Sequence, residues 1–211
     1  MNKTIIGVSL FSFSVLFSAT TFAQTTPDYA KLIEQAHQKY KSNNDGKVAD
    51  YIPALATYSP KNFAITIATV DGKIYQVGDV NKPFPMESLS KVFTMALAME
   101  QHGPQVVLDK LGANATGMPF NSGLAVELTK GAPENPLVNA GAMSTVSLIE
   151  AKDKSDRWNK ILDNLNVWAD ATLTVNEPVF KSEMETNQHN QALAKLMESY
   201  NSFYGNTDEA V

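Results

Sequence analysis

Residues 63–77 read "FAITIATV", then Asp71-Gly72, then "KIYQV". Two runs of β-branched and aromatic residues joined by Asp-Gly are the strongest short-range signal for a β-hairpin. An isolated hairpin is only marginally stable in water and needs a partner for its apolar face. After Phe84 the chain offers no further pair of strands. Helical spacing predicts helices over 87–102, 139–152, 155–167 and 183–200, with Gly103-Pro104 stopping the first. Upstream, Thr26-Pro27-Asp28 predicts a capped helix start, Leu32, Ile33, Ala36 and Tyr40 follow at helical spacing, and "SNNDG" ends it. The pattern predicts an α+β fold whose sheet is short for the length of the chain.

Composition narrows the chemistry. With 44% hydrophobic and 18% charged residues, a chain of 211 can bury a core. The net charge is −5 with no run of Lys or Arg, which argues against nucleic acid or an anionic membrane as partner. There is no cysteine, so disulfides, thiolate metal sites and cysteine nucleophiles are excluded. The first 23 residues, "MNKTIIGVSLFSFSVLFSATTFA", have a basic start, an apolar stretch and small residues ending at Ala23. That is the layout of a secretory signal peptide cleaved before Gln24. Its apolar stretch is too short and too serine-rich for the roughly 20 residues of a spanning helix. Export, to a periplasm, with no stable membrane span after cleavage, is the expectation. Residues 24–45 then form an N-terminal helix and linker ahead of a domain over 46–211.

The segment "PMESLSKVF" (85–93) poses a chemical question, because it places a lysine at the mouth of a very apolar helix. Helical neighbours three or four apart share a face, so Ser88 looks the same way as Lys91 and Ser90 does not. A serine hydroxyl is a weak nucleophile until a base takes its proton, and a desolvated lysine can be that base. A helix N-terminus adds N–H groups suited to developing negative charge. Ser-x-x-Lys is shared with serine β-lactamases and penicillin-binding proteins, but it also arises by chance, with the serine as a cap and the lysine as a surface residue. Glu185 and His189, four apart, lack a third ligand for a zinc-type site, and His37 and His102 stand alone. No metal site and no glycine-rich phosphate loop is expected.

Six words occur in order: "GKVADYIPALA", "TVDGKIYQVGD", "SLSKVF", "GMPFNS", "NPLVNAGAM" and "SEMETNQHN". Together, from Gly46 onwards, they closely resemble the glutaminases of the serine β-lactamase-like superfamily. The resemblance implies a β-lactamase/transpeptidase-like α+β fold with Ser88 as nucleophile, Lys91 as its partner and Tyr51 as a phenol beside them. It implies Asn139, Glu183 and Asn190 as substrate-binding residues alongside Ser88. On a helix 183–200, Glu183 and Asn190 would share one face, and Asn139 could double as a helix N-cap. The reaction implied is hydrolysis of L-glutamine to L-glutamate and ammonia through a seryl ester, without cofactor, in a homodimer or homotetramer. Family members run on for about a hundred further residues, within the usual size of one domain. These carry more sheet strands, two substrate tyrosines and an oxyanion-hole strand. The glutaminase domain is therefore expected to be C-terminally incomplete, with little turnover by residues 24–211 alone. Two alternatives are a β-lactamase-like acyl hydrolase, for which "SDN" and a strand-borne "KTG" are missing, and a glutamine-binding module without turnover.

Overall fold

The computed structural model describes residues 27–211, and the segment read as a signal peptide lies outside them. The described chain divides into two compact units: residues up to Ser42 with Phe63–Val80, and Asn43–Asn62 with Asn81–Val211.

The smaller unit is a helix on a hairpin. Helix α1 (Tyr29–Tyr40) is capped by the Asp28 carboxylate, which accepts the Lys31 N–H at 3.0 Å. Strands β1 (Ala64–Ala68) and β2 (Ile74–Gly78) pair antiparallel with Ile65 opposite Val77 and Ile67 opposite Tyr75. These four residues form the half-buried face. Tyr29 of α1 packs on Tyr75 with ring centroids 5.5 Å apart, and His37 stacks on Phe63 at 5.0 Å. Ile33 on the same helix is buried. The Thr69 N–H bonds the Lys73 carbonyl and the Gly72 N–H bonds that of Thr69, both at 2.9 Å. Val70-Asp71-Gly72 is thus a three-residue loop, and Gly72 takes its left-handed position at φ 80°. Among the described residues these are the two strands of the sheet.

The larger unit is helical. A 3₁₀ turn (Pro53–Thr57) precedes a second one (Glu87–Leu89) that runs into α2 (Ser90–His102). Then follow α3 (Pro104–Leu111), α4 (Gly123–Leu128), α5 (Asn139–Leu148), α6 (Lys154–Ala169), α7 (Glu177–Glu185), α8 (Gln188–Ser199) and α9 (Thr207–Ala210). Helix α5 lies between two apolar clusters. On one side Ala140 and Met143 meet Val126, Leu193, Ala194 and Met197; on the other Leu148 and Ile149 meet Ala98, Val107 and Leu111. A helix buried on both sides must satisfy its own hydroxyls. Thr145 Oγ donates to the Gly141 carbonyl at 2.7 Å, Ser147 Oγ to that of Ser144 at 2.7 Å, and Ser144 Oγ to that of Ser202 at 2.9 Å. A third cluster joins Ile52 and Leu55 to Val179.

The fold is α+β as expected, with four local departures. The helix expected over 183–200 is two helices, α7 and α8, broken at Thr186 and Asn187. Thr186 bonds back to the Ser182 carbonyl at 3.0 Å, one of the local side-chain bonds that compete with helix continuation. The helix expected from 87 opens as a 3₁₀ turn, with Glu87 left-handed at φ 47°. The one expected to reach 152 stops at Leu148, because Ile149 is extended. Helices α3, α4 and α9, at 8, 6 and 4 residues, are too short to stand out by periodicity.

Candidate active site

Every residue singled out for chemistry lies in the larger unit. Ser88 sits exposed in the 3₁₀ turn ahead of α2. A 3₁₀ turn has about three residues per turn, so it aligns Ser88 with Lys91 more closely than an α-helix would. Ser90 is engaged elsewhere: its hydroxyl donates to the Glu87 carbonyl at 2.7 Å. That bond closes the turn and removes Ser90 from the face that Lys91 uses.

Lys91 is half-buried. Its Nζ donates to Asn139 Oδ1 at 2.6 Å, and Asn139 Nδ2 donates in turn to Asn190 Oδ1 at 3.1 Å. One hydrogen-bonded run therefore joins α2, α5 and α8. Burial pulls the Lys91 amine below its ordinary range, and the charge of Glu183 pulls it partly back. Glu183, near the end of α7, is reached by solvent, yet protein atoms crowd its carboxyl. Desolvation raises it above the usual carboxylate range, with Lys91 opposing.

Tyr51 is 64% exposed. Its phenol is raised first by desolvation, then by the charges of Glu87 and Glu183. The Ala54 N–H just beyond it donates to Ser182 Oγ on α7 at 3.2 Å, which ties this segment beside Glu183.

The structure links Lys91, Asn139 and Asn190 by direct bonds and sets Glu183 and Tyr51 within electrostatic reach of one another. It does not bond Ser88 to Lys91, whose amine turns to Asn139 instead. Glu183 and Asn190 do not share a helix face; they stand on α7 and α8 on either side of the break. Asn139 is not a cap. It is the first residue of α5, and the turn before it is held by Asn135, whose Oδ1 accepts the N–H groups of Leu137 at 2.9 Å and Val138 at 3.1 Å.

Two neighbours were not singled out from the sequence. Glu87 carries a half-buried carboxyl, raised by desolvation and then by Glu183. Its left-handed backbone leaves no sequence mark. Phe120, inside the quoted "GMPFNS", lies with its ring centroid 5.9 Å from Lys91 Nζ. His189 Nε2 meets the Asn121 carbonyl at 2.7 Å. Among the described residues no three His, Cys, Asp or Glu side chains gather as a metal site, and no helix is long and apolar enough to cross a membrane.

Known proteins resemble this chain in sequence and in fold. The family model described as glutaminase matches residues 46–211. The glutaminase of Colwellia psychrerythraea is 48% identical over 86% of this chain and 58% of its own length. Glutaminase 1 of Escherichia coli K12 is 46% identical over 84% of this chain and 57% of its own. A solved structure named as the probable glutaminase ybaS superposes with a TM-score of 0.84 at 45% identity, covering 86% of this chain and 59% of that one. The probable glutaminase from Bacillus subtilis complexed with 6-diazo-5-oxo-L-norleucine gives 0.74 at 26% identity, over 88% and 56% of the two chains. These structures are glutaminases of the β-lactamase-like fold. The chain thus spans about 58% of the length of the first curated relative it matches. From residue 46 onwards, the chain belongs to the glutaminase family.

Proposed function

We propose that this chain carries the nucleophile and the amino-acid pocket of a glutaminase, which hydrolyses L-glutamine to L-glutamate and ammonia through a seryl ester. The observation that carries the reading is the run from Lys91 through Asn139 to Asn190. It puts a desolvated amine and two amide side chains next to the turn that bears Ser88.

In the first step Ser88 Oγ attacks the side-chain amide carbon while its proton passes to Lys91, assisted by the Tyr51 phenol. A neutral amine can donate to Asn139 and still offer its lone pair, and burial favours that neutral form. The tetrahedral oxyanion takes a hydrogen bond from the backbone N–H of Ser88. As it collapses, the proton held by Lys91 goes to the leaving nitrogen, which departs as ammonia. Water then attacks the ester, giving a proton to Lys91, and the proton returns to Ser88 as glutamate leaves. Glu183 pairs with the α-ammonium of glutamine, and Asn139 and Asn190 offer amide donors and acceptors to its amino-acid end. The scheme uses neither metal nor organic cofactor.

The wider reading is of an exported protein whose residues 1–23 form a cleaved signal peptide. Residues 24–45 form the N-terminal helix and linker, 46–211 form the glutaminase domain, and the protein works in a periplasm as a homodimer or homotetramer. The test is to measure glutamate release from L-glutamine and, separately, labelling of Ser88 by the electrophile 6-diazo-5-oxo-L-norleucine, read by peptide mass spectrometry. Binding of glutamine with neither turnover nor labelling would select a non-catalytic module instead.

A further inference from the structure

The segment carrying Phe120 is held at two places, both beside the site. The Phe120 carbonyl accepts the Asn139 N–H at 2.8 Å. The Asn121 carbonyl faces His189 Nε2 at 2.7 Å, and since a carbonyl can only accept, the ring nitrogen donates. Asn139 is the residue that receives the Lys91 amine, and His189 immediately precedes Asn190. The two helices that present the site amides therefore also hold the backbone that carries the Phe120 ring, whose centroid is 5.9 Å from Lys91 Nζ.

We propose that Phe120 is a positioning residue for Lys91: its ring covers the amine and keeps water from it, and its loop is clamped to α5 and α8 so that the cover stays in place. The inference rests on the glutaminase reading. A ring over an amine does two opposite things. It displaces water, which favours the neutral base, and its π-face attracts the ammonium. The attraction reaches to about 6 Å, and the ring sits at that limit. The attraction is weakest at that limit, which leaves covering as the ring's larger effect. Of the other groups around the amine, Glu183 on α7 bears the charge that acts on it, and Asn139 on α5 is neutral. Glu87 and Glu183 act on Tyr51, and Glu183 acts on Glu87. His189 on α8 is turned to Asn121.

The experiment follows the Lys91 Cε resonance by NMR in lysine-labelled protein, assigned with Lys91→Arg, and titrates it in wild type, Phe120→Ala, Phe120→Leu and His189→Ala. Phe120→Ala should raise the midpoint by about one unit, a tenfold smaller neutral fraction at a given pH on the acid side. Phe120→Leu, which keeps apolar cover without the ring, should stay at the wild-type midpoint. His189→Ala frees Asn121 and should shift the midpoint the same way by less, which tests the clamp even if Phe120→Ala does not fold. An unchanged or lowered midpoint in Phe120→Ala or His189→Ala, or Phe120→Leu moving as far as Phe120→Ala, would overturn the proposal. The titration is read without turnover, so it is separate from the glutaminase reading, which fails if Ser88→Ala still releases glutamate.

Discussion

Gly141, one turn into the most deeply buried helix, has no room for a side chain. A Cβ there would lie 1.8 Å from the Asn135 carbonyl oxygen and 2.7 Å from its carbon, where real contacts essentially never fall below 3.0 Å. Gly141→Ala must therefore push that carbonyl back by about 1.2 Å. The Asn135 side chain cannot follow freely. It accepts from the N–H groups of Leu137 and Val138 and donates to the Asn114 carbonyl at 2.8 Å. Each such bond contributes about 0.5–1.5 kcal/mol net. Alanine in place of glycine returns up to about 1 kcal/mol of helix propensity. The balance is a loss of about 1–3 kcal/mol, in line with overpacking elsewhere. For a chain of this size that lowers Tm by roughly 2–12 °C. Gly123→Ala is the control, since its Cβ would meet only Leu193 Cδ2 at an ordinary 3.6 Å. That variant should be neutral or up to about 1 kcal/mol more stable. Thermal and urea unfolding of both variants by circular dichroism decide the matter. A Gly141→Ala protein that melts at or above wild type, as the control does, would refute the reasoning.

Four further outcomes can be measured. In a chain extended by the family's further C-terminal residues, Ser88→Ala should abolish glutamate release and Ser90→Ala should keep most of it, because Ser90 serves the Glu87 carbonyl; the reverse result would sink the assignment. Glu183→Gln should raise KM about 10- to 150-fold with a smaller change in kcat, the effect of one charge-assisted hydrogen bond of about 1.5–3 kcal/mol. In the wild type, glutamine binding should weaken as pH falls through a Glu183 value above the usual carboxylate range, because burial raises it. Glu87 also has a raised folded-state value, so its contribution to stability is complete below its unfolded pKa and is lost as pH rises through the folded one. Glu87→Gln should therefore unfold at higher urea than wild type at neutral pH, with the gap closing below about pH 4, and a gap that grows on acidification would contradict this.

The parts of the molecule that were legible in sequence are those set by local chemistry. Asp71-Gly72 between two β-branched runs marked the hairpin, and Gly103-Pro104 marked the end of α2. The words around Ser88, Asn139 and Asn190 marked the family. What escaped depends on residues distant in the chain. A single helix is expected to run on through Thr186 and Asn187, yet it breaks there, where the Thr186 hydroxyl bonds the local backbone. Asn139 has the composition of a cap, but Asn135 holds the turn before it and frees Asn139 for Lys91 and Asn190. The left-handed Glu87 and the ring of Phe120 matter only through what the fold brings against them.

The bond between the Ala54 N–H and Ser182 Oγ spans 128 residues. Beside it, the Ile52–Leu55–Val179 cluster and the Asn176–Tyr58 hydrogen bond link the same two stretches. At about 5–20 residues per second of synthesis, the Tyr51 segment waits roughly 6–26 s on the ribosome before its packing partners exist. During that interval Ile52 and Leu55 are open to water and to any holdase that binds short apolar segments. The corner of the site that holds Tyr51 therefore assembles long after its own residues have emerged.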